Sequence, residues 1–237
     1  MSSFESEREQ FHRQMLSSVS HDLKTPLAAV IGSLEIFERM KTQLPPEKMN
    51  TLISTALNEA YRLDNFVTNI LDMAKLENGM VKPRYEASDL DSLLRDCVEK
   101  YSHRYHAKDM KIMSSGKPLT IHTDSALFCR MIGLVLDNTM KHAGSDSVVR
   151  LQWSVDKGLV NINILDNGPG IPPEKAEEIF SKYTRLKRED HQNAGTGLGL
   201  SICRSITRLL GGAINATNRP EGGASFVITL PITNPNT

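Results

Sequence analysis

Ser20-His21-Asp22-Leu23-Lys24-Thr25-Pro26-Leu27 lies inside a long segment where apolar residues recur as Leu16, Val19, Leu23, Val30, Leu34 and Phe37. Apart from the turn holding Pro26 and Leu27, the steps alternate three and four residues, the seam of a helix packed on other helices. With Leu16 at heptad position a and Val19 at d, Leu23 takes the next a and His21 falls at f, farthest from the seam. His21 is therefore expected to point to water, within reach of a second domain or a partner protein. Thr25, four residues on, shares its face. Asp22 does not, yet its carboxylate can swing to one ring nitrogen and fix the tautomer. Pro26 has no N–H, so the Asp22 carbonyl loses its helical partner and a bend is expected there. An exposed histidine beside a kink needs no function of its own, so its meaning depends on the rest of the chain.

Working outward, the helix is expected to run to about Thr42, where Leu44-Pro45-Pro46 stops it. A second helix is expected from about Glu47, with Leu52, Ala56, Leu63, Val67, Ile70 and Ala74 on one face and Asn78-Gly79 as its C-cap. Two such helices with a short turn form an antiparallel hairpin with one apolar face uncovered. Two copies bury that face as a four-helix bundle, so a homodimer is expected.

Composition narrows the function classes. Lysine plus arginine and aspartate plus glutamate each number 28, so the formal net charge is zero and no electrostatic footprint for nucleic acid or an anionic membrane appears. Aromatic residues are only 5% of the chain, which argues against a surface for stacking single-stranded bases. No apolar run approaches a transmembrane length, and residues 1–20 are too charged for a signal peptide. The three cysteines, Cys97, Cys129 and Cys203, are scattered and read as reduced thiols of a cytoplasmic protein.

From Val81 the character changes. Lys82-Pro83-Arg84-Tyr85-Glu86 reads as a linker entering an edge strand, and Asp89 to about His106 as a helix. Lys111–Ser114 and Leu119–His122 read as short strands, and Asp124 as the cap of a helix through Ala143. Val148–Val155 and Leu159–Leu165 alternate as strands joined by Asp156-Lys157-Gly158, a hairpin signal. A loop-rich stretch from Asn167 to about Gly199 is longer than most connections and therefore expected to be functional. A helix to Leu210 and strands at Ala213–Thr217 and Ala224–Leu230 complete an α+β sandwich, helices on one face of a mixed sheet. The expected domains are residues 1–79 and 80–237.

Three stretches of this second half fit a nucleotide. Asp166-Asn167-Gly168-Pro169-Gly170 ends a strand, where a carboxylate can accept from an exocyclic amine and Gly168 and Gly170 let backbone approach a flat base. A plain strand-to-turn connection has the same look. Gly195-Thr196-Gly197-Leu198-Gly199-Leu200-Ser201 opens a helix and offers free N–H groups at its positive dipole end. It matches neither the Walker A nor the dinucleotide spacing. On the preceding helix, Asn138 and Lys141 are three apart and share a face, so an amide oxygen and an ammonium can meet one triphosphate. Mg2+ takes oxygen ligands, often one or two from protein with phosphate oxygens and water, and Asn138 suits that role. Phe180, Lys182, Tyr183 and Arg185 form a basic, aromatic lid segment between the glycine motifs.

Ser20–Leu27 resembles the H box of bacterial sensor histidine kinases. The later stretches resemble the N, G1, F and G2 boxes of their catalytic domain, within the wider GHKL (Bergerat-type) ATPase fold. The boxes occur in family order and the likeness runs from about residue 10 to Pro231. Its flavour is closest to the potassium-responsive members. The resemblance implies a dimeric helical bundle followed by an ATP-binding α/β sandwich. It makes His21 the phosphoacceptor, Asp22 its acidic neighbour and Thr25 the residue of phosphatase turnover. Asp166 would read the adenine amine, Asn138 hold Mg2+ and Lys141 contact phosphate. His142 stands where a tyrosine often packs on the base. Gly195, Gly197 and Gly199, with Thr196 and Leu198 between them, would shape the lid hinge. ATP and Mg2+ are the implied cofactors and a response-regulator receiver domain the implied partner. Membrane attachment would come only through a sensor region outside this chain. One departure stands out: Leu134 occupies the position of an asparagine usual in the family's N box, and Thr139 that of an alanine. Leu134 leaves two other readings open, a degenerate nucleotide-sensing scaffold and a conformational ATPase. The ATPase reading is disfavoured because its water-activating glutamate would also belong at position 134.

Overall fold

A computed structural model describes residues 3–102, 109–113, 118–142, 148–184 and 197–234. For residues 3–18, 21, 102 and 109 it describes the backbone alone. The chain divides into two compact units, residues 1–71 and 72–237.

The first unit is helical. α1 spans Ser3–Met40 and runs through Pro26 as one helix. Lys41–Pro45 turn the chain, with Gln43 and Leu44 N–H both donating to the Met40 carbonyl, and α2 spans Pro46–Glu77. A proline at N1 costs nothing, because that N–H has no helical acceptor anyway. Ser33, Ala56, Phe66 and Asn69 are buried, whereas Leu27, Ile31, Leu34, Leu57, Val67 and Leu71 remain 43–52% exposed. Large apolar side chains are thus left in water on both helices, though only Leu34 and Val67 of these six belong to the faces expected from the sequence.

Gly79, at φ +63, ends α2 in the left-handed conformation that glycine tolerates best. The division falls inside α2 because its last turns are bonded to the second unit. Asp72 accepts from Arg130 at 2.8 Å, and Glu77 pairs with Lys182.

The second unit is a mixed sheet with helices against it. β1 (Glu86–Asp89) and β3 (Thr120–Thr123) form a separate antiparallel pair. The main sheet has the order β2-β4-β5-β7-β6, from β2 (Asp109–Met113), β4 (Val148–Asp156), β5 (Leu159–Leu165), β6 (Ala213–Asn218) and β7 (Ala224–Pro231). Only β2–β4 is parallel. Register lines Trp153, Ile162, Ile228 and Ile214 across four strands, and Leu151, Ile164, Phe226 and Ala216 in the next row. All eight are buried, each large apolar side chain contributing about 1.5–3 kcal/mol. The β4–β5 hairpin turns at Lys157 (φ 50) and Gly158 (φ 78), as Asp-Lys-Gly foretold.

α3 (Leu90–Ser102), α4 (Ser125–His142) and α5 (Gly199–Leu209) complete the unit. Asp124 caps α4, its Oδ1 accepting from Leu127 N–H at 2.9 Å. The indole of Trp153 donates to Asp91 at 2.7 Å and ties the sheet to α3. Among the described residues, no helix is long and apolar enough to cross a membrane.

The cysteines correct the sequence reading. Cys97 on α3 and Cys129 on α4 are disulfide-bonded with Cα atoms 5.2 Å apart, because helix packing unites positions that sequence spacing keeps apart. Cys203 is the free thiol, and burial pushes its pKa up to about 12. Without reductant, a thiol reagent at pH 8 should therefore label nothing in the native chain. Denaturation should expose Cys203 alone, and further reduction all three cysteines. Native labelling of Cys97 or Cys129 would contradict the bridge.

Candidate functional site

α4 and α5 set the frame. Met131 O accepts from Cys203 Sγ at 3.6 Å, and Thr207 Oγ1 lies 3.1 Å from Met131 Sδ. Further along α4, Leu134 Cδ2 lies 3.8 Å from where a Cβ on Gly199 would sit. The helices are thus antiparallel, and the N-terminus of α5 faces the half of α4 carrying Asn138 and Lys141. Among the described residues no side chain caps α5, and the first N–H groups of a helix, with its positive dipole end, suit an anion.

Asp166 follows β5 and is only 5% exposed. Its Oδ1 accepts from Gly168 N–H at 2.9 Å and Ala224 N–H at 3.0 Å. Its own N–H donates to the Ala224 carbonyl at 3.0 Å, and its carbonyl accepts from Arg219 Nη1 at 2.7 Å. Among the described residues nothing bonds to Oδ2. A carboxylate fixed at one oxygen, with the other oxygen spare, is a preorganised acceptor for an amine.

The turn after Asp166 is held from outside. Asn218 accepts from Ile171 N–H at 2.7 Å and donates to the Ile171 carbonyl at 2.6 Å, a strand-like double bond made by a side chain. Asn167 Oδ1 accepts from Val148 N–H at 2.8 Å. Gly170 has φ +79, and a Cβ there would meet Asn218 Oδ1 at 2.8 Å.

Asn138 is half-buried, and among the described residues nothing bonds to its amide. Next to it Thr139, 1% exposed, has a hydroxyl with no hydrogen-bond partner among the described residues. A free amide oxygen fits a hard cation that takes its other ligands from phosphate and water. No cluster of three metal-binding side chains occurs among the described residues.

Lys141 is engaged elsewhere, 2.5 Å from Asp137 Oδ2 one turn back. That contact uses one of the three donors of its ammonium and leaves two for a phosphate. His142 is exposed at the end of α4.

Tyr183 N–H donates to the Gly197 carbonyl at 2.9 Å, with both residues at positive φ, +62 and +66. A Cβ on Gly197 would come within 2.8 Å of Tyr183 backbone. The two ends of the lid segment meet there, while Arg185, Gly195 and Thr196 lie outside the described residues. Leu198 is fully buried beneath the start of α5. Phe180 is buried with the Arg204 guanidinium 4.2 Å over its ring, and Arg204 forks onto Glu177 at 2.6 and 2.9 Å. Arg204 holds the Glu177 carboxyl below its usual range.

Along α1, Asp22 is half-buried and Thr25 exposed, and both lie on the same helix as His21. The side chain of His21, expected to face water, lies outside the described residues.

Sequence reasoning misses Asn218, Arg219 and Gly223, which brace the Asp166 turn, and gives Asn167, inside the motif it singles out, no role of its own. Only Gly222-Gly223 at a hairpin gives a signal, and by itself it marks no more than a strand boundary.

Leu134, 5% exposed, packs at the start of α5. Leu134→Asn should lower the stability of the second unit by about 2–4 kcal/mol while tightening Mg2+-dependent nucleotide binding. Titrating Mg2+ against both proteins checks this, and unchanged affinity would refute it.

Two family models match the chain. Residues 11–79 match the His Kinase A (phospho-acceptor) domain, and residues 123–234 match the histidine kinase-, DNA gyrase B-, and HSP90-like ATPase. The chain is 35% identical over 229 residues to sensor protein KdpD of Escherichia coli (strain K12), covering 95% of this chain and 25% of that protein. It is 33% identical to adaptive-response sensory kinase SasA of Synechocystis sp. (strain ATCC 27184 / PCC 6803 / Kazusa), covering 94% and 60%. It therefore spans about a quarter to three-fifths of the length of these relatives. The structure of histidine kinase ThkA in complex with response regulator protein TrrA matches with a TM-score of 0.71 at 24% identity, covering 99% of this chain and 67% of that one, a likeness of fold.

Proposed function

We propose that this chain, which joins these two domains in this order, works as a sensor histidine kinase core that phosphorylates its own His21 from ATP and passes the phosphoryl group to an aspartate of a response regulator. Residues 1–79 serve as the phosphoacceptor and dimerisation domain, and residues 80–237 as the ATP-binding domain. The observation that carries this reading is Asp166: a nearly buried carboxylate with one oxygen saturated by two backbone donors and the other spare.

Asp166 Oδ2 accepts from the 6-amino group of adenine. The N–H groups at the start of α5 take the phosphates, joined by Lys141 and by Arg185 and Thr196 of the lid. Asn138 supplies the protein oxygen for Mg2+, which when bound neutralises charge on the phosphate oxygens. His21 attacks the γ-phosphorus in line with neutral imidazole. The nitrogen–phosphorus bond forms as the β,γ-bridging oxygen leaves with ADP, and Asp22 holds the other ring nitrogen. In the reverse mode Thr25 orients water against the regulator's phospho-aspartate.

The exposed apolar face of α1 and α2 supports a homodimer, since two copies bury it. The ThkA structure contains a response regulator, which supports one as partner here.

Incubation with γ-labelled ATP and Mg2+ tests the proposal. Protein-bound label that survives base and is lost in acid is expected. Steady phosphate release with no labelled protein would instead favour the conformational ATPase, and neither product the nucleotide-sensing scaffold.

A further inference from the structure

The β6–β7 turn reaches across to the base-reading carboxylate from a part of the chain with no ligand-binding motif of its own. Arg219 closes that turn, its N–H donating to the Gly223 carbonyl at 3.0 Å and its carbonyl accepting from Gly222 N–H at 3.1 Å. Its side chain, 18% exposed, leaves the turn and donates from Nη1 to the carbonyl of Asp166 at 2.7 Å. That guanidinium also lies 3.5 Å from Glu221, a pair too long and exposed to hold it in place alone. Ala224, just past the turn, supplies two more bonds to the same aspartate, one to its backbone and one to Oδ1.

Asp166 is thus gripped by the β6–β7 hairpin at its N–H, its carbonyl and one carboxylate oxygen. Of these grips, Arg219 is the only side chain, and its bond to a carbonyl is charge-assisted. Removing it frees the peptide plane between Asp166 and Asn167, through which the chain reaches Gly168, one of the two N–H donors that fix Oδ1 and so aim the spare oxygen.

We infer that Arg219 is a positioning residue that aims Asp166 Oδ2 and thereby sets the preference for purines bearing a 6-amino group. The inference rests on Asp166 reading adenine, as proposed above. A residue that merely supported the fold would weaken all nucleotides alike. One that aims the carboxylate changes the ratio between a nucleotide with the amine and one without it.

The experiment compares equilibrium binding of ATP and of purine riboside triphosphate, which lacks the amine, to the full chain. The variants are Arg219→Met, which keeps the aliphatic stem but donates nothing, and Arg219→Lys, which keeps a cationic donor. Wild type should favour ATP by about tenfold or more, the equivalent of a hydrogen bond to a charged group. Arg219→Met should bring the ratio to within about threefold, largely through weaker ATP binding, and Arg219→Lys should restore most of it. A ratio that stays at the wild-type value in Arg219→Met overturns the inference. So does a ratio near one in Arg219→Lys, which decides the matter if the Met variant does not fold. Asp166→Ala separates the two levels. If it leaves the ATP preference intact, the adenine assignment itself fails and the role of Arg219 with it. If it abolishes that preference while Arg219→Met does not, only the inference about Arg219 is lost.

Discussion

Gly223→Ala removes measurable ATP binding and destabilises the second unit by about 3 kcal/mol or more. Gly223 has φ +89, a conformation that costs an L-residue about 1–3 kcal/mol. Collision costs more than this strain. An added Cβ would sit 2.0 Å from the Asp166 carbonyl oxygen, 2.7 Å from its carbon and 2.9 Å from Asn167 Cα. All three are backbone atoms, so no rotamer change relieves the clash. Relief comes only by pushing the Asp166 peptide away from the hairpin, which breaks the bonds that Arg219 and Ala224 make to it. The damage therefore falls on the carboxylate assigned to adenine. Gly158→Ala is the control: φ there is +78, but nothing lies within 4 Å of the new methyl. It should cost about 1 kcal/mol of backbone strain and leave binding unchanged, as isothermal titration against an ATP analogue would measure. Equal loss of binding in both variants would show that strain, not the approach to Asp166, is responsible.

His21→Gln abolishes protein labelling, by about a thousandfold or to background, while nucleotide affinity stays within about twofold of wild type. Glutamine is a good helix former, so α1 persists through the site. Its amide nitrogen shares its lone pair with the carbonyl and cannot attack phosphorus. Every residue assigned to the nucleotide lies in the second compact unit, residues 72–237, so the substitution leaves that machinery untouched. Retained labelling at an acid-labile bond would remove His21 from the acceptor role. Loss of binding together with labelling would mean that His21 helps to hold the nucleotide.

Much of the fold is legible in the sequence because its signals are local. Asp124 reads as a cap, and its Oδ1 meets Leu127 N–H. Asp156-Lys157-Gly158 reads as a hairpin turn, and Lys157 and Gly158 both adopt positive φ. The helix ends at Met40 and Glu77 fall within two residues of where prolines and Asn78-Gly79 place them. Asp166 is legible as a carboxylate ending a strand before glycines.

What escapes a reading of the sequence is long-range. Arg219 and Ala224 act on a residue more than fifty positions earlier, and an arginine in a polar turn has no pattern to betray its target. Cys97 and Cys129 look scattered until α3 and α4 are seen side by side. Pairing of Lys141 with Asp137 is readable as an i, i+4 couple, but the face shared with Asn138 draws attention instead. The separate β1–β3 sheet stays hidden because four-residue strands carry too little alternation to reveal their partners.

Mapping the phosphoryl group by mass spectrometry of peptides cut at neutral pH, after incubation with ATP and Mg2+, tests the central claim most directly. The expected result is a single phosphorylated peptide containing His21, absent when Asp166→Ala protein is used. A phosphoryl group on any other residue, or a modified His21 that forms equally well without Asp166, would contradict it.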